Sequence, residues 1–305
     1  MIERREALLS ELISVRDYIR WGASRFGEAG LFMGHGTDNA WDEAVQLVLF
    51  ALHLPQDSGR EVLDGRLSLC ERKAVIDVLS RRISERIPAA YITNEAWFCG
   101  QPYFVDERVL VPRSPIAELI DNEFEPWLAQ EPARILDLCT GSGCIGIASG
   151  MIFPEANIDL VDLSEEALEV AAINIKKHGV EDRVHLIQSD LFQNVSKKYQ
   201  LIVSNPPYVD AKDISEMPEE FHQEPKMGLA AGIDGLDIVH RILKDARQYM
   251  TDDGLLIVET GNSCDALDDA YPEIPFTWIE FEFGGHGVFI ISAAELDQYQ
   301  GFFKG

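Results

Sequence analysis

The chain has 305 residues, 46% hydrophobic and 26% charged, with no low-complexity tract, a composition that fits a globular protein long enough for two domains. Its formal net charge of -26 repels phosphate backbones and argues against duplex DNA or naked RNA as substrate. No apolar run approaches the length of a membrane span. The acid-rich N-terminus reads as neither a signal nor a transit peptide. Five cysteines without a CxxC pair read as reduced thiols of a cytoplasmic protein. The charge is uneven. Lys plus Arg number 13 against 17 Asp plus Glu up to residue 110, and 13 against 35 beyond it, so the second part suits a basic partner.

Residues from about 3 to 28 put Leu8, Leu12, Val15, Tyr18, Ile19 and Trp21 on a helical period. After the turn 34–39 a second helix carries Trp41, Ala44, Leu47 and Val48. A third opens at Ser68, with Glu71 at the spacing of a capping box, and its apolar run stops at Pro88. These segments predict a helical domain over 1–90 without a catalytic pattern. His35, beside two glycines, reads as a turn histidine bonded to backbone. From 91 to 113 the period shifts toward two around Gly100-Gln101-Pro102, which predicts a β-hairpin linker. Ser114 can cap a following helix and Pro115 suits its first position. Arg113 at that start has the fork to hold a substrate or cofactor carboxylate; a structural ion pair fits the same spacing.

From Arg134 onward strands and helices alternate. Strands are expected at 135–138, 158–161, 184–187, 201–203, 255–258, 278–281 and 288–291, with helices after Gly143, Ser164 and Leu236. The pattern predicts an α/β fold over 114–305: a mostly parallel seven-stranded, Rossmann-like sheet with helices on both faces.

Two segments carry chemistry. The first, Asp137 to Gly146, follows the first strand of this sheet and contains G-x-G-x-x-G, which raises a dinucleotide site. Asp137 weighs against a pyrophosphate there, because two like charges would share the pocket, and favours a ligand bearing an ammonium group. Asp162 ends the next strand, where an acid takes ribose hydroxyls. Asp190, with Leu191 beside it, follows the third strand and is placed to meet an adenine amine; a plain loop cap is the other reading. The second segment is Asn205-Pro206-Pro207-Tyr208, after the buried run 201–204. Two prolines fix two φ angles and remove two donors. The turn is stiff, with the Asn205 side-chain carbonyl and the Pro206 backbone carbonyl as acceptors and an aromatic ring alongside. That suits a flat group bearing an NH2. The loop Glu224 to Leu236 is expected to border it.

DLCTGSGCIGIA at 137–148, the acid at 162, SDLF at 189–192 and NPPY at 205–208 resemble class I S-adenosylmethionine-dependent methyltransferases. With FVDERVLVPRSP at 104–115 and EPKMGLAAGIDGLDIVHRIL at 224–243, the chain is similar over nearly its whole length to the HemK group of protein-glutamine methyltransferases. Segments 34–49 and 86–100 resemble the branch acting on large-subunit ribosomal protein L-three. The resemblance implies S-adenosylmethionine as cofactor, S-adenosylhomocysteine as product and no metal. It implies a basic ribosomal protein or an assembling ribosome as partner. It implies a cofactor set of Asp137, Thr140, Gly141, Gly143, Asp162, Asp190, Leu191 and Asn205. Asn205, Pro206, Pro207 and Tyr208 are the expected catalytic residues, and Arg113, Asn205, Tyr208 and Glu224 the expected substrate contacts. Glu118, in Arg113-Ser114-Pro115-Ile116-Ala117-Glu118, departs from the release-factor branch and has no assigned role. The rival readings are a methyltransferase of exocyclic base amines or of a release-factor glutamine, an NAD-dependent oxidoreductase, and an inactive ribosome-assembly factor.

Overall fold

Side-chain caps at Ser14, Asn39 and Ser68 start three of the N-terminal helices. The computed structural model describes residues 2–209, 217–229, 231–232 and 234–303. The chain divides into two units, Met1–Glu95 with Pro218–Gln223, and Ala96–Met217 with Glu224–Gly305. The first holds α1 (Ile2–Glu11), α2 (Val15–Glu28), α3 (Ala40–Ala51), α4 (Leu69–Glu85) and α5 (Ala89–Thr93). The single helix expected over 3–28 is therefore two. Ser14 accepts from the Asp17 amide while the Asp17 carboxylate accepts the Ser14 and Ile13 amides, and this capping box starts a new helix instead of continuing the old one. The predicted Ser68–Glu71 box does open α4. Tyr18, Ile19, Phe26, Leu47, Val48, Val75 and Leu79 fill the core of this unit.

Residues 218–223 belong to the helical unit although they lie far along the chain. Buried Glu220 accepts from Arg82 (3.5 Å), Arg86 (3.0 Å) and the Phe32 amide (3.1 Å), and Arg82 also donates to buried Glu43 at 2.7 Å. Burial raises the Glu220 carboxyl, but the Arg86 hydrogen bond, the amides and the Arg82 charge outweigh it and hold it below its ordinary value. Phe221 packs on His35 at 4.6 Å and on Phe32 at 5.4 Å, so His35 is a buried ring in an aromatic cluster.

The second unit begins with a hairpin, β1 (Ala96–Phe98) and β2 (Gln101–Tyr103). Its turn is Cys99–Gly100, one residue earlier than expected, because both lie at positive φ (46° and 67°), the requirement of a two-residue hairpin loop. Pro102 pairs inside β2. After α6 (Ile116–Asp121) come β3 (Arg134–Leu138), α7 (Cys144–Ile152), β4 (Asn157–Asp162), α8 (Glu165–His178), β5 (Val184–Gln188) and β6 (Tyr199–Ser204). Then follow α9 (Asp237–Asp245), β7 (Met250–Glu259), α10 (Cys264–Ala270), β8 (Thr277–Trp278), β9 (Val288–Ser292) and α11 (Ala293–Tyr299). The seven strands form one sheet in the order β5-β4-β3-β6-β7-β9-β8. β9 is antiparallel to β7 and to β8, and the other pairs are parallel. Two buried clusters cover the sheet, one including Ile135, Ile147, Leu160 and Leu201, the other Leu136, Ile202, Val239 and Leu256. This is the expected α/β fold. The strand predicted over 278–281 ends at Trp278; the Ile279 amide still donates to the Val288 carbonyl at 2.9 Å, and farther on Glu118 accepts the Glu282 and Phe283 amides at 2.9 and 3.2 Å. Among the described residues no helix is long and apolar enough to cross a membrane.

Glu220→Ala leaves the buried Arg82 with Glu43 alone as counter-charge and the Phe32 amide without its acceptor, and should cost the helical unit about 1–3 kcal/mol. Glu219→Ala, whose ion pair with Arg86 is solvated, should cost less than about 1 kcal/mol. Hydrogen exchange of the α3 and α4 amides checks both.

Candidate functional site

β3 and β6 run side by side, with Leu138 paired to Ser204 and the Ser204 hydroxyl donating to the Leu138 carbonyl at 2.9 Å. Adjacent strands lie about 4.8 Å apart, so Cys139-Thr140-Gly141 and Asn205-Pro206-Pro207-Tyr208 leave the sheet as neighbours. The chain turns back on itself between these strands, β4 lying on one side of β3 and β6 on the other. Ligands bind at such a switch point in open α/β sheets.

Asp137 is buried on β3 and its Oδ2 accepts from Thr140 Oγ1 at 2.5 Å and from the Gly146 amide at 2.9 Å. Its Oδ1 is buried and has no hydrogen-bond partner among the described residues. Burial pushes the carboxyl up to about 7, against the lowering effect of those two donors. An orphaned buried acceptor is costly, and a cationic donor such as an ammonium group would complete it. Asp162, at the end of β4, accepts from the Gly141 amide through Oδ2 and from the Ser164 amide through Oδ1, both at 2.9 Å. It thereby ties the glycine loop to the start of α8, and burial raises its carboxyl. Gly143 caps α7 at φ 80°, a left-handed conformation that suits glycine.

Other predicted residues have other neighbours. Asp190 pairs with Arg241 at 2.7 Å and accepts from Gln193 at 3.2 Å. Leu191 beside it is buried at φ 51°. Arg113 makes a two-pronged ion pair with Glu224 at 2.6 and 2.7 Å. Glu224 also accepts the Val111 amide at 3.0 Å, which joins the two predicted substrate contacts to each other. The Asn205 side chain makes no hydrogen bond to another described residue and stays partly exposed. Val209, next to Tyr208, exchanges backbone hydrogen bonds with Leu229 and Ala231, so the segment after Glu224 does run beside the Asn-Pro-Pro-Tyr turn. The expectation for residues 210–216, 230 and 233 lies outside the described residues.

Several contributors were not legible in the sequence. Asn174 on α8 is fully buried, donates to the Ser142 and Phe104 carbonyls at 2.8 and 2.9 Å, and accepts the Phe104 amide at 2.6 Å. It holds the glycine loop against the segment after the hairpin. An Asn in a helix interior is a weak signal, and nothing local names its partners. Cys139 also sits at positive φ (59°). With Leu191, that places strained non-glycine backbone after both β3 and β5, where such strain collects at binding sites. Tyr208 donates its hydroxyl to Glu259, a residue no motif marked.

A methyltransferase small domain model matches residues 124–232. The ribosomal protein uL3 glutamine methyltransferase of Francisella tularensis is 50% identical over 305 residues, 99% of this chain and 97% of that protein. The chain belongs to this protein-glutamine methyltransferase family. The uL3 glutamine methyltransferase of Neisseria gonorrhoeae is 49% identical, over 94% of this chain and 96% of its own length. Among solved structures, the hMettl16 catalytic domain bound to an RNA hairpin superposes with a TM-score of 0.50 at 14% identity, covering 73% of this chain and 81% of that one; at that identity the likeness is one of fold. Family membership sets the dinucleotide reading of the glycine loop aside, as the acid at Asp137 requires.

Asp137 also makes a prediction about stability. Its folded value lies above the ordinary 3.8, so the folded chain keeps a proton that the unfolded chain releases. The contribution is complete in acid and is lost as pH rises through about 7. Asp137→Asn should therefore stabilise the ligand-free protein in urea unfolding at about pH 8 and change it little at about pH 4. Equal shifts at both values would contradict the burial argument.

Proposed function

We propose that this chain methylates the side-chain amide nitrogen of a glutamine in large-subunit ribosomal protein uL3, using S-adenosylmethionine and releasing S-adenosylhomocysteine. The observation that carries this reading is a buried carboxylate with an orphaned oxygen at the end of β3, one strand from an Asn-Pro-Pro-Tyr turn in a chain of this family. Asp137 Oδ1 would hold the cofactor's ammonium group. Asp162 has spare lone pairs for the ribose hydroxyls, Asp190 and Leu191 would meet the adenine, and the backbone of Thr140, Gly141 and Gly143 would line the approach. When bound, the cofactor supplies an electrophilic methyl group.

An amide nitrogen is a weak nucleophile because its lone pair is delocalised into the carbonyl. Two acceptors that hold both of its N–H groups turn the lone pair toward the methyl and stabilise the positive charge that develops. The Asn205 side-chain carbonyl and the Pro206 backbone carbonyl take these roles in our reading, with the Tyr208 ring against the flat amide. Holding two reactants in line contributes on the order of 7–11 kcal/mol in well-oriented models. The thiols close by are poor nucleophiles, since burial raises Cys139 and pushes Cys144 up to about 12. Arg113 and Glu224 together shape the side of the pocket where the substrate glutamine enters. The helical part up to residue 90 serves substrate recognition, 91–113 links, and 114–305 carries the transfer, all in a protein of the cytoplasm.

Purified protein with labelled cofactor should place the label on a glutamine of uL3, located by mass spectrometry. A label that survives protease and is released by nuclease would overturn the proposal. Asn205→Ala should lower kcat about 10²–10³-fold with little change in cofactor affinity by calorimetry. Because the acidic part must dock a basic protein, uL3 binding should weaken steadily as salt rises; a flat salt response would count against that docking mode.

A further inference from the structure

Glu259 is the last residue of β7, and its carboxylate is buried, with 4% of the residue exposed. Val258 before it pairs with Ser204, so Glu259 reaches the sheet edge beside the Asn-Pro-Pro-Tyr turn. Its Oε1 accepts the Tyr208 hydroxyl at 2.8 Å and its Oε2 accepts the Ser114 hydroxyl at 2.5 Å. Ser114 in turn accepts the Ile116 amide at 3.2 Å, at the start of α6. A carboxylate taken out of water is costly unless charge or hydrogen bonds compensate it. Here burial still raises the Glu259 carboxyl above its ordinary value, against the lowering effect of the two hydroxyls and of the Arg113 charge.

What the arrangement does is hold one ring. The Tyr208 hydroxyl is fixed by Glu259, its backbone carbonyl accepts from Ser263 at 3.0 Å, and Gly261 lies so close that a side chain there would collide with the ring. Gly261 at φ 49° is the residue type that permits this approach. Burial and the Glu259 charge raise the Tyr208 hydroxyl far above its ordinary value, so the phenol stays neutral and the ring, left partly exposed, is what it offers.

We infer that Glu259, with Ser114 behind it, is a positioning residue that sets the Tyr208 ring plane against the substrate amide. This rests on the reading of the Asn-Pro-Pro-Tyr turn as the glutamine site. Three variants test it: Glu259→Leu removes both acceptor oxygens, Glu259→Gln keeps one acceptor and the shape, and Ser114→Ala removes one donor and folds under milder demands. The Tyr208 ring resonance in ring-labelled protein, assigned by its loss in Tyr208→Phe, should shift or broaden in Glu259→Leu and move less in Glu259→Gln. Glutamine methylation should fall in kcat about tenfold or more in Glu259→Leu, the rate equivalent of one lost hydrogen bond, with cofactor affinity unchanged. Glu259→Gln should restore most of it, and Ser114→Ala should lie between. In the Tyr208→Phe background the Glu259→Leu loss should vanish, since the two act as a unit. An unmoved ring signal overturns the inference. So does an equal fold-loss in both backgrounds, or a shifted ring with unchanged kcat. A wild-type protein that methylates no glutamine would instead sink the functional reading, while the resonance would still report whether Glu259 holds the ring.

Discussion

Leu138 and Ser204 end neighbouring parallel strands and are joined by the Ser204 hydroxyl donating to the Leu138 carbonyl. Almost everything about the site follows from that register. Side chains alternate along a strand, so a slip of one residue would turn Asp137 to the opposite face and exchange every inward and outward group. The register is secured by burial, since β3 beyond Arg134 and nearly all of β6 are enclosed by helices on both faces. Parallel strands need that cover, and the helices that supply it also deliver their N-termini to the ligand edge.

Around this register the unit concentrates buried and half-buried acids. Asp137, Asp162, Glu224 and Glu259 come from different strands or loops, and each is satisfied differently: by a loop hydroxyl and amide, by two amides, by an arginine fork, and by two hydroxyls. Of these four, only Asp137 keeps a buried carboxylate oxygen without a partner among the described residues. The acids therefore divide into those that shape loops and one that still has bonding capacity for a cation. Electrostatic preorganisation of this kind places its cost in folding, before any ligand binds.

The helical unit uses buried charge for another purpose. Glu43, Arg82 and Glu220 form a dry cluster in which Glu220 comes from residues 218–223. A short stretch between the Asn-Pro-Pro-Tyr turn and Glu224 is thus built into the helical core by charge and by the Phe221 ring. The chain on either side of that stretch belongs to the second unit.

Local chemistry determined a good part of this protein without any structure. Strand–helix alternation, the glycine run 141–146, the acids at 137 and 162, and the prolines at 206 and 207 are each read within a few residues, because caps, turns and buried strands obey short-range rules. The same short range explains the failures. Helical periodicity ran straight through Ser14, where a reciprocal cap breaks the helix, and the strand expected over 278–281 ends at Trp278, before the Glu282 and Phe283 amides that Glu118 holds. Tertiary structure alone decided that Glu259 holds Tyr208, that Asn174 holds the glycine loop and that Glu220 lies among helices more than a hundred residues upstream. Those contacts join positions whose separation in sequence carries no period. Only packing brings them within hydrogen-bond reach.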